Sequence, residues 1–171
     1  MLYFRRELQT KTVNPMDQQP QLNEHNKQEF PPAHTAEHIL NQTMVRMFGC
    51  ERSRHTHIER KKSKLDYPLP TCPTAEQIAE VERRVNEVIG RDLPVTMEYM
   101  TQQEAARLFD LGKLPDDASS TLRIVRIGDY DACPCIGTHV THTAEIGHFR
   151  ISSTRYADGV FRIVFRLDLP A

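Results

Sequence analysis

Two pairs of metal-ligand residue types, each spaced four apart but separated by most of the chain, constrain this fold more than any other feature: His34 and His38 in His34-Thr35-Ala36-Glu37-His38, and Cys135 and His139 in Cys135-Ile136-Gly137-Thr138-His139. If both pairs serve one ion, two distant segments must meet. Three nitrogens and a thiolate suit zinc better than calcium or magnesium, which prefer oxygen. The spacing therefore predicts a split tetrahedral zinc site. The first pair opens an apolar-periodic run (Ile39, Leu40, Met44, Val45, Met47, Phe48) that follows Pro31-Pro32 and stops at Gly49. That is the pattern of an amphipathic helix, where residues i and i+4 share a face at about 5–6 Å between Cβ atoms. The second pair needs a turn, because four residues of extended chain span about 13 Å. Pro134 and Gly137 supply one.

With 171 residues and a formal net charge of −1, the chain is long enough for one domain with a real core. It carries no global field that would draw it to nucleic acid or membrane. No apolar run approaches the ~18 residues of a membrane span, and no apolar signal segment is present. The four cysteines, Cys50, Cys72, Cys133 and Cys135, are too few and too irregular for a secreted disulfide scaffold. A soluble cytoplasmic protein with reduced thiols is expected. Charge is concentrated locally: residues 52–64 hold six Lys or Arg against one Glu, a segment of +5 that leaves −6 elsewhere. The run Glu59-Arg60-Lys61-Lys62-Ser63-Lys64 reads as the tip of a hairpin between Ile58 and Leu65. Arg60, Lys61, Lys62 and Lys64 are then either a solvated turn or a phosphate-contacting arm beside the metal helix.

Residues 1–30 are polar and interrupted by proline, which predicts a flexible leader ahead of a domain at 31–171. Thr74-Ala75-Glu76-Gln77 is a capping box opening a helix with Ile78, Val81, Val85, Val88 and Ile89 on one face. A strand follows over 93–100, then a short helix capped by Thr101 and Glu104 and a turn through Pro115-Asp116-Asp117. The clean alternation at 122–127 gives another strand. The chain then crosses the Cys/His loop and closes with strands at 145–156 and 160–167, joined by a turn at Ala157-Asp158-Gly159. The mixed order predicts an α+β fold, an antiparallel sheet packed against two long helices, with the zinc site between helix and loop.

Several stretches go further: His34-Thr35-Ala36-Glu37-His38-Ile39-Leu40, Ser63-Lys64-Leu65-Asp66-Tyr67, Val81-Glu82-Arg83-Arg84-Val85-Asn86 and the segment from Leu122 to Tyr130. Cys135-Ile136-Gly137-Thr138-His139-Val140, Thr143-Ala144-Glu145-Ile146-Gly147 and Gly159-Val160-Phe161-Arg162-Ile163 follow them. In this order, over roughly 31–168, they resemble the editing domain of alanyl-tRNA synthetase and its short free-standing relatives, the AlaX proteins. The resemblance implies zinc on His34, His38, Cys135 and His139. It also implies an aminoacyl-tRNA substrate and ATP-independent hydrolysis of serine or glycine wrongly attached to tRNA for alanine, a translation-fidelity role. The threonyl-tRNA synthetase editing domain carries similar pairs; the stretch after Val140 and Asp66-Tyr67 favour the alanyl branch. A zinc-stabilised tRNA-binding module without hydrolysis is the alternative.

Thr35, Gly137 and Thr138 are the candidate catalytic residues. The Gly137-Thr138 backbone can polarise the ester carbonyl. The threonines either bond a serine hydroxyl, which would reject alanine, or serve the cap and loop. Zinc itself either binds substrate or water or only fixes the pocket walls. Glu37 lies three residues after His34 rather than directly after it, so it does not match a zincin base. Three positions depart from the family pattern. Ile136 replaces a glycine and predicts a changed loop or a narrower pocket. Phe161 stands where arginine is common and predicts a lost polar contact. Cys133 is either a spare ligand or a small half-buried residue.

Overall fold

A computed structural model describes residues 30–112, 114 and 119–171. Apart from Phe30, the expected leader lies outside the described residues, as does the expected turn at Pro115-Asp116-Asp117. The order is α1 (Pro31–Phe48), β1 (His55–His57), β2 (Ser63–Pro68), α2 (Ala75–Gly90), β3 (Val95–Thr101), α3 (Gln102–Ala105), β4 (Thr121–Ile127), β5 (Asp131–Pro134), a 3-10 turn (Thr143–Ile146), β6 (His148–Ala157) and β7 (Val160–Asp168). Among these residues no helix is long and apolar enough to cross a membrane, and all four cysteines are unpaired.

Local signals set the helices. Pro31 and Pro32 occupy the first helical positions of α1, where a missing N–H costs nothing. Gly49 ends α1 at φ 64, its N–H bonding Val45 O, as an αL cap does. Both bonds of the Thr74–Gln77 capping box form at α2. Asp158 and Gly159, at φ 51 and 74, turn β6 into β7, consistent with the positive-φ pair of a type I′ hairpin.

The fold is α+β with antiparallel pairing, but it contains two sheets where one was expected: a four-stranded sheet ordered β1-β2-β7-β6 and a three-stranded sheet ordered β3-β4-β5. Alternation along a strand fixes which side chains share a face and leaves the pairing partner open. The inner face of the larger sheet, with Leu65, Tyr67, Phe161, Ile163 and Phe165, joins α1 and α2 in the main core. Edge strand β6 is protected by α2: Asn86 accepts from Phe149 N and donates to Phe149 O, both at 2.8 Å, and Glu82 accepts from Ile151 N at 2.7 Å. Side chains here stand in for a missing neighbour strand.

The smaller sheet is covered on both faces, which is why Ile124 and Val125 are both buried. Ile124 and Leu122 pack with Ala105 and Phe109. Over the opposite face runs the loop after β5, anchored by Arg123 to Cys135 O (2.7 Å) and Gly137 O, and by Val95 N to Thr141 O (2.8 Å).

Two further expectations change. Residues 131–134 form a strand rather than running directly into the loop. Residues 143–146 form a 3-10 turn, so β6 starts at His148. The turn is tied down by Thr143 Oγ1, which donates toward Val88 O and Ile89 O and accepts from Leu93 N. Phe161, which departs from the family pattern, is 1 % exposed and opposite Tyr67 on the core face; its ring is part of the main core.

Candidate metal centre

α1 presents His34 and His38 one turn apart, and both are buried. β5 and the bend after it carry Cys135 and His139 to the same point. One donor atom from each of His34, His38, Cys135 and His139 lies within 4.8 Å of the others. His34 Nε2 is 3.4 Å from Cys135 Sγ. Ligand bonds of about 2.0–2.3 Å in a tetrahedral zinc site give edges of roughly 3.3–3.8 Å, so this spacing is of the right size.

The outer bonds decide which nitrogen each ring offers. His34 Nδ1 lies 3.1 Å from Thr138 O; a carbonyl only accepts, so the proton is on Nδ1 and Nε2 turns inward with its lone pair. Thr35 Oγ1 donates to Pro31 O (3.0 Å), accepts from Val140 N (3.2 Å) and lies 3.0 Å from His139 Nδ1. With its one proton given to Pro31 O, the hydroxyl can only accept from the ring. His139 Nε2 is thereby left as a lone pair, and it is buried without a hydrogen-bond partner. His38 Nδ1 faces Cys133 Sγ at 3.2 Å and Asp131 Oδ2 at 3.7 Å, which leaves its Nε2 for the centre. Metal-bound histidines are held in this way by their second nitrogen.

Electrostatics agree with a site built for a cation. Burial opposes a charge on Cys135, yet the close approach of His139, His34 and His38 brings its thiol down to about 2. Burial, reinforced by the neighbouring His38 and His34, lowers His139 to about 4 against the pull of Cys135. Burial also opposes charge on His38, but Cys133 and Asp131 raise its pKa well above the usual imidazole range. A cation at Nε2 would take the place of the second proton this environment favours.

Arg52, Asp131 and Cys133 were not singled out as a unit from sequence. Arg52 grips Asp131 with both arms, at 2.6 and 3.2 Å, and reaches Cys133 Sγ at 3.4 Å. Burial works against both charges, yet Cys133 and then Asp131 raise Arg52, and His38 and then Arg52 lower Asp131. His38, Asp131 and Cys133 form a second ligand-type group, whose cation is the guanidinium. A strand reading of 131–135 would have placed Asp131, Cys133 and Cys135 on one face. Beside His38 a cavity of about 480 Å³ opens, lined in part by Glu37, Asn41, Arg52, Phe109 and Cys133.

Among the described residues only Asp92 and Asp158 are non-glycines with positive φ. Ile136 thus fits the bend without left-handed strain. Gly137 is buried and Thr138 exposed. Glu37 Oε2 is 3.9 Å from His34 Nε2. Arg60, Lys61, Lys62 and Lys64 are exposed around the β1–β2 tip. The Arg60 guanidinium lies 4.5 Å from the centroid of the Phe30 ring, which sets the tip beside the N-terminus of α1.

The stretch that carries Cys135 and His139 is matched by a known domain. The family model of the threonyl and alanyl tRNA synthetase second additional domain matches residues 122–164. The chain is 32% identical over 152 residues to the alanine–tRNA ligase of Methanococcus vannielii, covering 85% of this chain and 17% of that protein. With the ligase of Pyrobaculum calidifontis it shares 34% over 149 residues (77% and 16%), and with that of Treponema denticola 33% over 132 residues (76% and 22%). The chain thus spans about a fifth or less of the length of these curated relatives. The chain is a homologue of the alanyl-tRNA synthetase editing domain and is similar to the AlaX proteins.

Proposed function

We propose that this chain is an aminoacyl-tRNA ester hydrolase that clears mischarged tRNA, with serine or glycine on tRNA for alanine as the preferred substrate, and that residues 31–171 form the editing unit. The observation that carries the reading is the inward lone pair of His139 Nε2, buried and unpartnered beside Cys135, His34 and His38. This donor set fits zinc. When bound, zinc would supply Lewis-acid polarisation or a more acidic water.

The chain's own residues do the rest. Thr35 positions His139, and the Thr138 carbonyl positions His34. Arg123 holds the carbonyls of Cys135 and Gly137. No peptide bond among the described residues is cis, so the Thr138 N–H points opposite to the Gly137 carbonyl and away from Arg123. That N–H is our candidate donor to the ester carbonyl, with the exposed Thr138 side chain beside it to meet a substrate hydroxyl. Hydrolysis of an activated ester needs no ATP, and we place the activity in the cytoplasm, where charged tRNA is found.

The test is deacylation of serine-, glycine- and alanine-charged tRNA for alanine by the purified protein. Selective loss of serine or glycine, abolished by His38→Ala, supports the proposal. A full set of four protein ligands is also what a purely structural zinc has. Binding of tRNA with no deacylation of any of the three would establish that second reading, a zinc-stabilised tRNA-binding module.

A further inference from the structure

The outer face of the four-stranded sheet is solvent-facing, since α1 and α2 cover only the inner one. Register puts His55, Asp66, Arg162 and Arg155 in one row across β1, β2, β7 and β6, and His57, Lys64, Val164 and Ser153 in the next. Arg166 and Arg150 face each other one row further on. The β6–β7 ribbon therefore carries two arginine pairs directly opposite each other, Arg155 with Arg162 and Arg150 with Arg166. Like charges in that position oppose pairing, by up to about 1 kcal/mol each.

Only half of this charge is compensated. Arg162 is bonded by Asp66 at 2.7 and 2.9 Å, and Arg150 reaches Asp168 at 3.5 Å. Among the described residues no carboxylate pairs with Arg155 or Arg166, and both side chains are exposed. The face is continuous with the basic tip at Arg60, Lys61, Lys62 and Lys64. Arrays of unneutralised cations on a surface mark sites for a polyanion backbone.

We infer that this face, with Arg155 and Arg166 at its centre, is a docking surface for the phosphate backbone of tRNA. The inference rests on the functional reading above for its choice of polyanion. It assigns no base-specific contact: phosphate contacts set orientation and carry no sequence information.

The experiment is fluorescence anisotropy of labelled tRNA against the full chain over a series of KCl concentrations. The proteins compared are wild type, Arg155→Ser/Arg166→Ser and Arg83→Ser. Arg83 sits on α2, paired with Glu80 and Glu87, and controls for a simple change of net charge. For the double variant the slope of log K against log salt should shrink by about 1.4–1.8, and affinity near 0.1 M salt should fall on the order of tenfold. Arg83→Ser should match wild type, and the melting temperature of the double variant should not fall, because two repulsive pairs are relieved. An unchanged slope in the double variant overturns the surface. So does an equal loss in Arg83→Ser, or a loss seen with phosphatidylserine vesicles but not with tRNA. Wild-type protein that binds tRNA with a slope sensitive to Arg155 and Arg166 but deacylates nothing would end the hydrolase reading and leave this surface standing.

Discussion

Thr35 Oγ1 and His139 Nδ1 meet at 3.0 Å across 104 residues of sequence, and this contact sets the side of the ring that faces the candidate metal centre. The same hydroxyl serves Pro31 O and Val140 N, so one buried side chain joins the start of α1 to the end of the Cys/His bend. Thr35→Val keeps the shape and removes all of these bonds. Zinc affinity, measured by chelator competition, should fall about 10–100-fold. Stability should drop by about 1–3 kcal/mol, because the Val140 N–H is left buried and unpaired. Thr35→Ser should recover both. Wild-type zinc affinity in the valine variant would remove Thr35 from the site.

Stripping the proposed zinc should lower stability as well as the proposed activity. With three lone pairs and a thiolate facing one another, the ligand cluster without a cation is a buried arrangement with little to offset its desolvation. Calorimetry should show a lower melting temperature after chelation and its return on adding one equivalent of zinc. Magnesium or calcium should not restore it. A melting temperature indifferent to chelation would contradict the zinc assignment.

The Asp66–Arg162 pair gives a pH signature outside the candidate metal centre. Hydrogen bonds from Arg162 are the main reason that the Asp66 carboxyl lies below the usual carboxylate range, against a smaller opposing effect of burial. A folded-state pKa below the unfolded value of about 3.9 means the contribution is complete above that pH. It is lost as pH falls through the lower folded value. The melting temperatures of wild type and Asp66→Asn should therefore differ by a constant amount near neutrality and converge in stronger acid. The same substitution releases Arg162 on the outer sheet face and should tighten tRNA binding. A difference that grows on acidification would reverse the assigned sign.

Two glycines should respond in opposite directions. Gly147 has φ 83 and leads the 3-10 turn into β6. A Cβ there would collide with the carbonyl oxygen of Asp168 and come within 2.9 Å of Leu169 Cα. Because these are backbone atoms, Gly147→Ala should cost on the order of 3 kcal/mol. Gly90, in the last turn of α2, has nothing within 4 Å of an added Cβ. Gly90→Ala should stabilise by about 0.5–1 kcal/mol through loss of unfolded-state freedom. Urea denaturation of the two variants measures both, and equal effects would refute the backbone argument.

Much of this molecule is written in short-range signals. The Pro31-Pro32 start and Gly49 stop of α1, the Thr74–Gln77 box of α2 and the Asp158-Gly159 turn all depend on neighbours within a few residues, so the sequence shows them directly. The two ligand pairs were legible for the same reason, since a spacing of four has a local geometric meaning on a helix or a bend. What sequence could not settle was everything that depends on which distant segment lies opposite. Alternation at β4 marks its faces but not its partners, so two sheets looked like one. Phe161 stood out in the sequence only as a departure from the family pattern; its place opposite Tyr67 is what assigns its ring to the core.

The tertiary structure also decided chemistry. Sequence by itself determined that His34, His38, Cys135 and His139 are ligand types at workable spacings. Only the folded chain gives each ring its outward partner, Thr138 O for His34, Thr35 Oγ1 for His139, and Cys133 with Asp131 for His38. The physical reason is that a histidine's role depends on which nitrogen holds the proton, and that is set by the hydrogen bond it donates to a residue remote in the chain.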